Sequence, residues 1–477
     1  MPYHALAARG PFGYSQGNIV ALITPSHLSG SSPLMYPAHS SPLILGAMLT
    51  GSGAPDDERA WLDEQEPVNA SINADWYSSV AQCLDRAGLS FLFIADAVFA
   101  DPDGPPHYLS RFEPLSLLSF LAARTQRIGL VGTFSTSYNE PYNLARKLMS
   151  LDHLSQGRCA WNLVTSLGDR AARNFGLDSQ HDHHTRYARA EEFLNVVRGL
   201  WHSYAPDALP RDRHSGRYVD KEKIAALNHH GTFFNVAGPL NIEPSCQREP
   251  VIFQAGQSTH GQQLAARSAD VVFGMQTDID TARAYRTSLA NYQQQLGVER
   301  QPPLLLLKLM LHVTDDEVTP EDAFADYAMQ HCVLDELRER VGRAVQRSLT
   351  TAEADLTPIT EADILHGHAN EGTWLSEPLR EARQRGATIG QALQQLFRLK
   401  ALVFVGSVQH IATQMDQWQR SGAADGFIIQ ISSQRGAHQL ADKLLPELRR
   451  RGLFPAISDQ PSTLRQTLGL AEPALPS

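Results

Sequence analysis

Short apolar runs that alternate with helical patterns constrain the fold of this chain more than any other feature. From Leu43 onward there are eight such runs, separated by stretches whose apolar residues recur at helical spacing. The predicted strands are Ile44–Leu49, Phe91–Ala95, Ile128–Phe134, Cys159–Val164, Val251–Gly256, Val271–Met275, Leu304–Val313 and Gly426–Ile431. Eight strands alternating with helices are typical of an α/β protein, and specifically of a (β/α)8 TIM barrel with parallel strands.

The segment from Arg127 to Ser166 indicates where a binding site is expected. Its first strand runs into hydroxyl side chains at Thr133 and Ser135, and Pro141 then marks a helix start, where a missing N–H costs nothing. The next strand also ends in hydroxyls, at Thr165 and Ser166. Polar side chains at the carboxyl ends of neighbouring parallel strands predict a site at that end of the barrel.

Three regions depart from the regular alternation. We predict one barrel domain over residues 43–477, with insertions at about 203–250, after the fourth helix, and at about 320–400, after the seventh strand. A hairpin is predicted over Gly231–Leu240, and the mostly helical second insertion is long enough to act as a lid over the barrel mouth. Residues 1–42 are rich in Pro, Ser and Gly, which favours an extended arm packed on the body or on a partner subunit; disorder is the alternative.

Charge and cysteine content exclude some functions. The formal net charge of −10 argues against a nucleic-acid partner. The longest apolar run, Leu304–Leu311, is interrupted by Lys308 and is too short to cross a bilayer, so no membrane span is expected. The four cysteines have no metal or redox spacing, which favours reduced thiols in a cytoplasmic protein.

An ordered set of short motifs between about Leu43 and Gly469 resembles one protein family. The motifs are Phe93–Asp96, Thr133–Tyr142, Leu151–Arg158, Trp161–Ser166, Ala172–Gly176, Arg186–Phe193, Gly238–Asn241, Gln254–Ser258, Gly422–Phe427 and Arg449–Phe454. Together they resemble the bacterial-luciferase-like flavin monooxygenases, in the branch of nitrilotriacetate monooxygenase component A, dibenzothiophene-sulfone monooxygenase and long-chain alkane monooxygenase. Each motif alone is weak, whereas the ordered set is specific.

The resemblance implies a two-component monooxygenase. Reduced FMN would come from a separate NAD(P)H:flavin reductase, react with O2 to give a flavin peroxide, and oxygenate a small organic substrate. The chain has no Gly-x-Gly-x-x-Gly after a strand, which agrees with flavin reduced elsewhere. A homodimer or homotetramer is expected. The alternatives are a deazaflavin-dependent oxidoreductase of the same superfamily and a non-catalytic flavin-binding protein.

The resemblance and the positions at the strand ends together indicate which residues are candidates for binding the flavin. Short hydroxyls offer both a donor and an acceptor to a flavin, although ordinary turn chemistry explains them equally well without the family. An amide inside a strand needs a partner, so Asn162 either contacts the flavin edge or belongs to a buried structural network. The candidate cofactor-binding residues are Asp96, Thr133, Ser135, Asn162, Ser166, Tyr187, Gly256 and Ser258.

A phosphate site is predicted where Gly256 joins a strand to a helix. Free N–H groups and the helix dipole favour an anion there. Ser258 is equally well explained as an ordinary helix cap. Barrel enzymes in general bind phosphate after strands seven and eight, so this placement after the fifth strand rests on the family, as does a phosphate contact from Tyr187.

Candidate catalytic residues are few, as expected when the cofactor carries the chemistry. We name His184 and Asn162. The loop His181–His184 suggests a metal site, but adjacent histidines in one loop rarely converge on one ion, so no metal is predicted; covering the flavin and a solvated loop are the alternatives. Two features depart from the family: the loop Thr50–Pro55 lacks the histidine often found there, and the Pro-rich arm is unexpected.

Overall fold

The chain forms a closed parallel barrel with a helical insertion. The computed structural model describes residues 41–473 except 103, 167, 316–317, 320–321, 325–326, 329–333, 350–353, 355, 372 and 459. The predicted arm at residues 1–42 therefore lies, apart from its last two residues, outside the described residues. No helix in the described ranges is long and apolar enough to span a membrane.

Eight of the described strands close the barrel. The strands are β1 Ile44–Leu49, β2 Phe91–Ile94, β3 Gly129–Ser135, β4 Cys159–Val164, β5 His229–His230, β6 Asn235–Val236, β7 Val251–Gln254, β8 Val271–Gly274, β9 Leu304–Val313, β10 Val403–Gly406 and β11 Gly426–Ile431. Parallel pairing runs β1-β2-β3-β4-β7-β8-β9-β11 and returns to β1, so the predicted (β/α)8 barrel is confirmed. All eight predicted barrel strands are present, and four have the predicted bounds.

Helices follow the strands and cover the outside of the barrel. The described α-helices are α1 Ala74–Arg86, α2 Pro106–Leu109, α3 Pro114–Ala122, α4 Pro141–Leu154, α5 Asp169–Arg173, α6 His183–Trp201, α7 Thr259–Ser268, α8 Ile279–Gln295, α9 Asp335–Val345, α10 Glu361–Glu371, α11 Thr373–Gln384, α12 Ile389–Lys400, α13 Val408–Arg420, α14 Gln434–His438, α15 Leu445–Arg450 and α16 Leu464–Thr467. Shorter turns are the 3-10 helices Ala60–Leu62, Ala70–Ile72 and Lys221–Lys223, and the π-helix Gln439–Leu444. Pro141 opens α4, as its fixed φ predicts.

Alternate residues of the strands build two cores. One set, including Phe91, Val131 and Phe253, fills the barrel interior, whereas the intervening residues pack against the helices. Leu464 and Leu468 of the C-terminal segment join the interior set, and Leu464 donates its N–H to the carbonyl of Gly157, at the turn that precedes β4. The last helix therefore closes the amino-terminal end of the barrel and leaves the carboxyl-terminal end as its mouth.

An ion-pair cluster fastens this C-terminal plug. Asp270, directly before β8, lies 3.2 Å from Arg465 of α16 and 2.6 Å from Arg300, and it accepts the N–H of Ile252 at 2.9 Å. The Asp270 carboxylate and the Arg465 guanidinium are both almost fully buried. A buried carboxylate that serves two cations and one backbone donor ties three separate segments of the chain together.

The second insertion has its own hydrophobic core. Phe324, Tyr327, Leu393 and Phe397 belong to a cluster distinct from the barrel core, and the mostly helical character predicted for 320–400 is confirmed. The sequence interpretation missed β10, Val403–Gly406, which pairs with β9 outside the barrel ring. This short apolar run directly follows a helical pattern with no turn signal between them, and the pairing with β9 decides its conformation.

The first insertion is irregular, as predicted, and contains a hairpin of two short strands, β5 and β6. β6 lies within the predicted Gly231–Leu240, whereas β5, His229–His230, directly precedes it. The closing helix expected over Leu440–Arg450 is confirmed; its first half, residues 439–444, is a π-helix and its second half is α-helical. Of the described cysteines, Cys83 and Cys159 are buried, Cys246 is exposed, and all three are free.

Candidate functional site

The ends of β3 and β4 bring Thr133 and Asn162 together. The two residues are register partners, and each follows by two positions a residue of the barrel-interior core, Val131 and Ala160 respectively, so both face the interior. Asn162 Nδ2 donates to Thr133 Oγ1 at 2.9 Å. Asn162 Oδ1 is buried and has no hydrogen-bond partner among the described residues. The mouth therefore contains an amide oxygen that still requires a donor.

The hydroxyls of Ser135 and Ser166 form the next layer outward. Ser166 Oγ donates to Ser135 Oγ at 2.8 Å, and Ser135 Oγ also accepts the N–H of Ser137 at 3.1 Å. Ser166 has a φ of +55°, a left-handed conformation that is uncommon for serine, and its carbonyl accepts from Arg186 at 2.5 Å. Strained backbone held by a buried cation is typical of functional sites. The two serines are adjacent, as the strand-end prediction requires.

Asp96 lies directly beyond β2 and has a cationic partner. Arg111 Nε is 3.2 Å from Asp96 Oδ1. Burial raises the pKa of Asp96, and the adjacent guanidinium offsets only part of that rise. Because β2 neighbours β3 in the barrel, Asp96 belongs to the same side of the mouth as Thr133.

Gly256 is explained first by close packing. A Cβ on Gly256 would lie 2.6 Å from Gly261 Cα, and a Cβ on Gly261 would lie 3.0 Å from Tyr187 Oη. Two glycines thus let the end of β7 approach the start of α7 and the side chain of Tyr187. The expectation of a free N–H at Gly256 is wrong, because this group donates to Gln254 Oε1 at 2.9 Å.

Ser258 caps helix α7, so the ordinary structural role that the sequence analysis gave for this residue is present. Its Oγ accepts the N–H of Gly261 at 3.2 Å. The N–H groups of Thr259 and His260, in the first turn of α7, have no carbonyl partner within the helix. These groups, together with the helix dipole, supply the anion-binding character that the sequence suggested for Gly256.

Aromatic rings from α6 and α7 cluster at this helix start. His183 lies 4.6 Å from Tyr187 and 4.9 Å from His260, and His184 lies 5.9 Å from His260, measured between ring centroids. We call His183, His184, Tyr187 and His260 the imidazole cluster. The predicted loop His181–His184 is partly wrong, since Asp182 caps α6 and the last two histidines form its first turn.

The imidazole cluster sits where two helix N-termini meet, an environment that disfavours positive charge. Burial, followed by Arg186 and His260, lowers the pKa of His183, and only Asp182 opposes them. An anion would compensate this environment. His184 therefore lies among the residues predicted to bind a phosphate, and not beside Asn162. Its catalytic role remains a prediction. His260 was missed; its only sequence signal is its position two residues after Ser258.

Lys308 is a second residue that the sequence interpretation did not assign to the site. It lies on the interior face of β9, and its Nζ donates to Asp56 Oδ2 at 2.7 Å. Gln430, in neighbouring β11, donates to the carbonyl of Pro55 at 3.3 Å, while its Oε1 is buried without a partner among the described residues. The signal was available, because a lysine inside the apolar run Leu304–Leu311 requires a buried partner.

Lys400, at the end of the second insertion, lies 3.6 Å from the other Asp56 oxygen. Thr277, in the loop after β8, also donates to the carbonyl of Leu399, at 3.4 Å. The insertion thus contacts two loops of the barrel mouth and forms part of its wall.

Comparisons with known proteins agree with this geometry. A sequence profile described as luciferase-like monooxygenase matches residues 52–425. The chain is 33% identical to N-acetyl-S-(2-succino)cysteine monooxygenase of Bacillus subtilis (strain 168), over 90% of this chain and 97% of that protein. It is also 33% identical to nitrilotriacetate monooxygenase component A of Aminobacter aminovorans, over 87% and 93% of the two chains. The crystal structure of DmoA from Hyphomicrobium sulfonivorans superposes with a TM-score of 0.73 at 29% identity, covering 90% and 92% of the two chains.

Proposed function

Since the chain belongs to the luciferase-like monooxygenase family, we propose that its barrel mouth binds reduced FMN and that the enzyme oxygenates a small organic substrate there. The protein is a flavin-dependent monooxygenase of the two-component type, which uses reduced flavin and O2, with a separate reductase as the source of the flavin. That the flavin is FMN, and that the reductase uses NAD(P)H, are parts of the proposal.

The observation that carries the proposal is the unpaired Asn162 oxygen. A buried amide oxygen without a donor costs about 1–3 kcal/mol, so its retention in the mouth calls for a ligand that supplies a donor. The flavin ring system has an N–H group on its pyrimidine edge. Thr133, Ser135, Ser166 and Asp96 surround Asn162 on three adjacent strands and offer further hydrogen-bonding groups to the ring and ribityl chain.

The other end of the proposed site fits a phosphate. The first turn of α7 presents N–H groups that have no carbonyl partner within the helix, and Tyr187 Oη packs beside Gly261 in that turn. Ser258 holds this turn as its cap. Because β7 is the neighbour of β4, the two halves of the proposed flavin site are contiguous around the mouth.

Bound reduced flavin would supply the oxygen chemistry, activating O2 so that one oxygen atom reaches the substrate and the other leaves as water. The chain's own groups bind, orient and exclude water. Lys308 and Asp56 hold the loop after β1 against β9, and Lys400 ties the insertion to the same carboxylate. Catalytic roles for Asn162 and His184 are part of the proposal.

The experiment that tests this function is anaerobic titration with reduced FMN, followed by mixing with O2 in a stopped-flow spectrometer. We expect saturable binding and reoxidation slower than that of free flavin, with O2 consumption that yields product when a substrate is present. Binding with reoxidation as fast as free flavin would leave a flavin carrier or a hydride-transfer enzyme. Failure to bind FMN in either redox state would refute the proposed site.

The affinity for FMN should rise as the pH falls. A bound phosphate stabilises the protonated form of His183 and so raises its pKa from the lowered value it has without ligand. The complex then binds more protons than the free protein, and linkage predicts tighter binding as the pH falls through the raised pKa of His183 in the complex, by up to about tenfold per pH unit for one coupled proton. The phosphate itself begins to gain a proton near pH 6, which sets the lower limit of the window.

Riboflavin provides the matched control for this pH dependence, because it has the same ring and ribityl chain without the phosphate. Its affinity should change little over the same pH range, and His183→Asn should flatten the FMN profile. Equal slopes for FMN and riboflavin in an equilibrium fluorescence titration would place the phosphate elsewhere.

Three structural expectations belong to the same proposal. The barrel domain spans residues 43–477, and the 320–400 insertion acts as a lid, so protection from limited proteolysis by FMN is expected. The assembly is a homodimer or homotetramer, which light scattering tests. Large exposed apolar residues in the loop after β1, Trp61, Leu62, Val68 and Ile72, favour a subunit contact.

A further inference from the structure

Gln430 is a buried amide on the interior face of β11, near the mouth of the barrel. Ile428, two residues earlier on the same strand, belongs to the barrel-interior core, so Gln430 faces the interior one step closer to the mouth. In the ring of eight strands, β11 lies four strands from β4 in either direction. Gln430 is therefore on the side of the mouth opposite Asn162, which the proposed flavin contacts leave unassigned.

A neighbouring carbonyl fixes the orientation of the Gln430 amide. Its Nε2 donates to the carbonyl oxygen of Pro55 at 3.3 Å. A carbonyl oxygen only accepts hydrogen bonds, so the flipped amide would place two acceptors against each other. The remaining atom, Oε1, is buried without a hydrogen-bond partner among the described residues, and Gln430 is only 7% exposed. This side of the mouth therefore contains a second buried amide oxygen that requires a donor.

The strands beside β11 present apolar surface at the same end of the barrel. β8, β9 and β11 are consecutive in the ring, and we call their mouth ends the β8–β9–β11 arc. Phe273, on the interior face of β8, stacks on Phe93 with ring centroids 5.4 Å apart and is only partly buried. Met275 follows β8 and is 45% exposed. The arc thus combines an accessible apolar surface with the unpaired acceptor of Gln430.

Lys308, between them on β9, limits the charge that a bound donor can carry. Its Nζ donates to Asp56 at 2.7 Å and lies 3.5 Å from the Pro55 carbonyl oxygen that also accepts from Gln430. The Lys308 ammonium is therefore a close neighbour of the Gln430 amide. Lys400 lies 3.6 Å from the other oxygen of Asp56, so this carboxylate already serves two cations. A cationic donor would meet like charge here, whereas an uncharged N–H or O–H group would not.

We infer that Gln430 determines substrate specificity, and that the β8–β9–β11 arc binds a small substrate with an apolar group and an uncharged N–H or O–H donor, such as an amide or an alcohol. This inference rests on the proposed function, since the substrate would meet the flavin from the side opposite Asn162. The apolar group contacts Phe273 and Met275, and the donor pairs with Gln430 Oε1. An analogue without the donor leaves this oxygen unpaired in the complex and is disfavoured.

The test uses matched probes that differ in the donor. Benzyl alcohol is compared with benzyl methyl ether, and N-methylbenzamide with N,N-dimethylbenzamide, while benzylamine supplies a cationic donor. Dissociation constants are measured anaerobically by NMR titration of the complex of the protein with reduced FMN, for the wild type, Gln430→Met and Gln293→Met. Gln430→Met keeps the length of the side chain and removes the acceptor. Gln293→Met removes a buried amide on α8, outside the barrel ring, and is the matched control.

We expect the wild type to bind the donor-bearing member of each pair about tenfold more tightly, the scale of one net hydrogen bond in a buried site. Benzylamine should bind no more tightly than benzyl methyl ether. Gln430→Met should bind both members of a pair equally, and Gln293→Met should behave as the wild type.

The inference is overturned if the wild type binds the members of each pair equally or binds none of the probes. It is also overturned if Gln430→Met keeps the preference or if Gln293→Met loses it. Thermal unfolding checks that the variants fold, and the wild-type ratios decide the matter if Gln430→Met does not. A wild type that fails to bind reduced FMN would instead refute the proposed function, so the two failures are distinguishable.

Discussion

Replacing Asp270 with asparagine should lower the free energy of unfolding by about 3–5 kcal/mol, the range for breaking a buried ion pair by removing one partner. The substitution leaves Arg465 and Arg300 facing a neutral amide, and Arg465 is almost fully buried. It also weakens the acceptor for the Ile252 N–H. Because Arg465 belongs to the helix that plugs the barrel, we expect loosening of the C-terminal segment as well as a lower unfolding midpoint in urea.

The matched control is Asp416→Asn, which breaks an ion pair between Asp416 and Arg420 on the surface of α13. Surface substitutions of this kind change stability by no more than about 0.5 kcal/mol. If the two variants lose similar stability in urea denaturation, the cluster around Asp270 does not fasten the plug.

The effect of Asp270→Asn should depend on pH in a defined direction. Burial raises the pKa of Asp270, but Arg465 and Arg300 outweigh it, so that the pKa lies below its ordinary value. A carboxylate with a depressed pKa contributes stability that is complete above its unfolded pKa of about 3.9 and is lost as the pH falls through the folded pKa. The stability difference between wild type and variant should therefore be full at neutral pH and shrink below about pH 4.

Replacing Asn162 with leucine should weaken binding of reduced FMN by about 10–100-fold without lowering stability. The expected loss corresponds to about 1–3 kcal/mol, the cost of leaving the flavin donor without an acceptor in a buried site. In the free protein the same change removes an unpaired buried oxygen and adds apolar volume, so the melting temperature should stay level or rise, although Thr133 loses its partner. Such opposite effects on stability and binding are typical of functional sites.

Gln293→Leu is the matched control for Asn162→Leu. Gln293 is a buried amide on α8, outside the barrel ring, and its Nε2 has no partner among the described residues. Its replacement should affect stability in the same direction and leave flavin affinity unchanged. Equal flavin dissociation constants for wild type and Asn162→Leu would return Asn162 to the alternative of a purely structural network.

Local sequence patterns were sufficient to predict the barrel. β1, β4, β9 and β11 have the predicted bounds because each is an apolar run bounded by turn or polar residues, and such runs need no knowledge of their neighbours. The family motifs and the polar strand ends similarly placed Thr133, Ser135, Asn162 and Ser166 on adjacent strands. Parallel strands of a barrel all present their carboxyl ends on one side, so sequence position alone implies proximity.

Contacts between distant segments were decided only by the tertiary structure. Lys308 and Asp56 are 252 residues apart in sequence, and the contact of His107 with Ser71 joins two loops that show no common pattern. The tertiary structure also decided the pairing of β10 with β9, the contact of His260 with His183, and the position of Arg465 at the amino-terminal end of the barrel. The sequence by itself determined the barrel and the end at which it binds, because strand periodicity and strand-end polarity are local. Which buried polar atoms are paired and which remain available to a ligand was decided by how loops and helices converge, since each such atom takes its partner from another part of the chain.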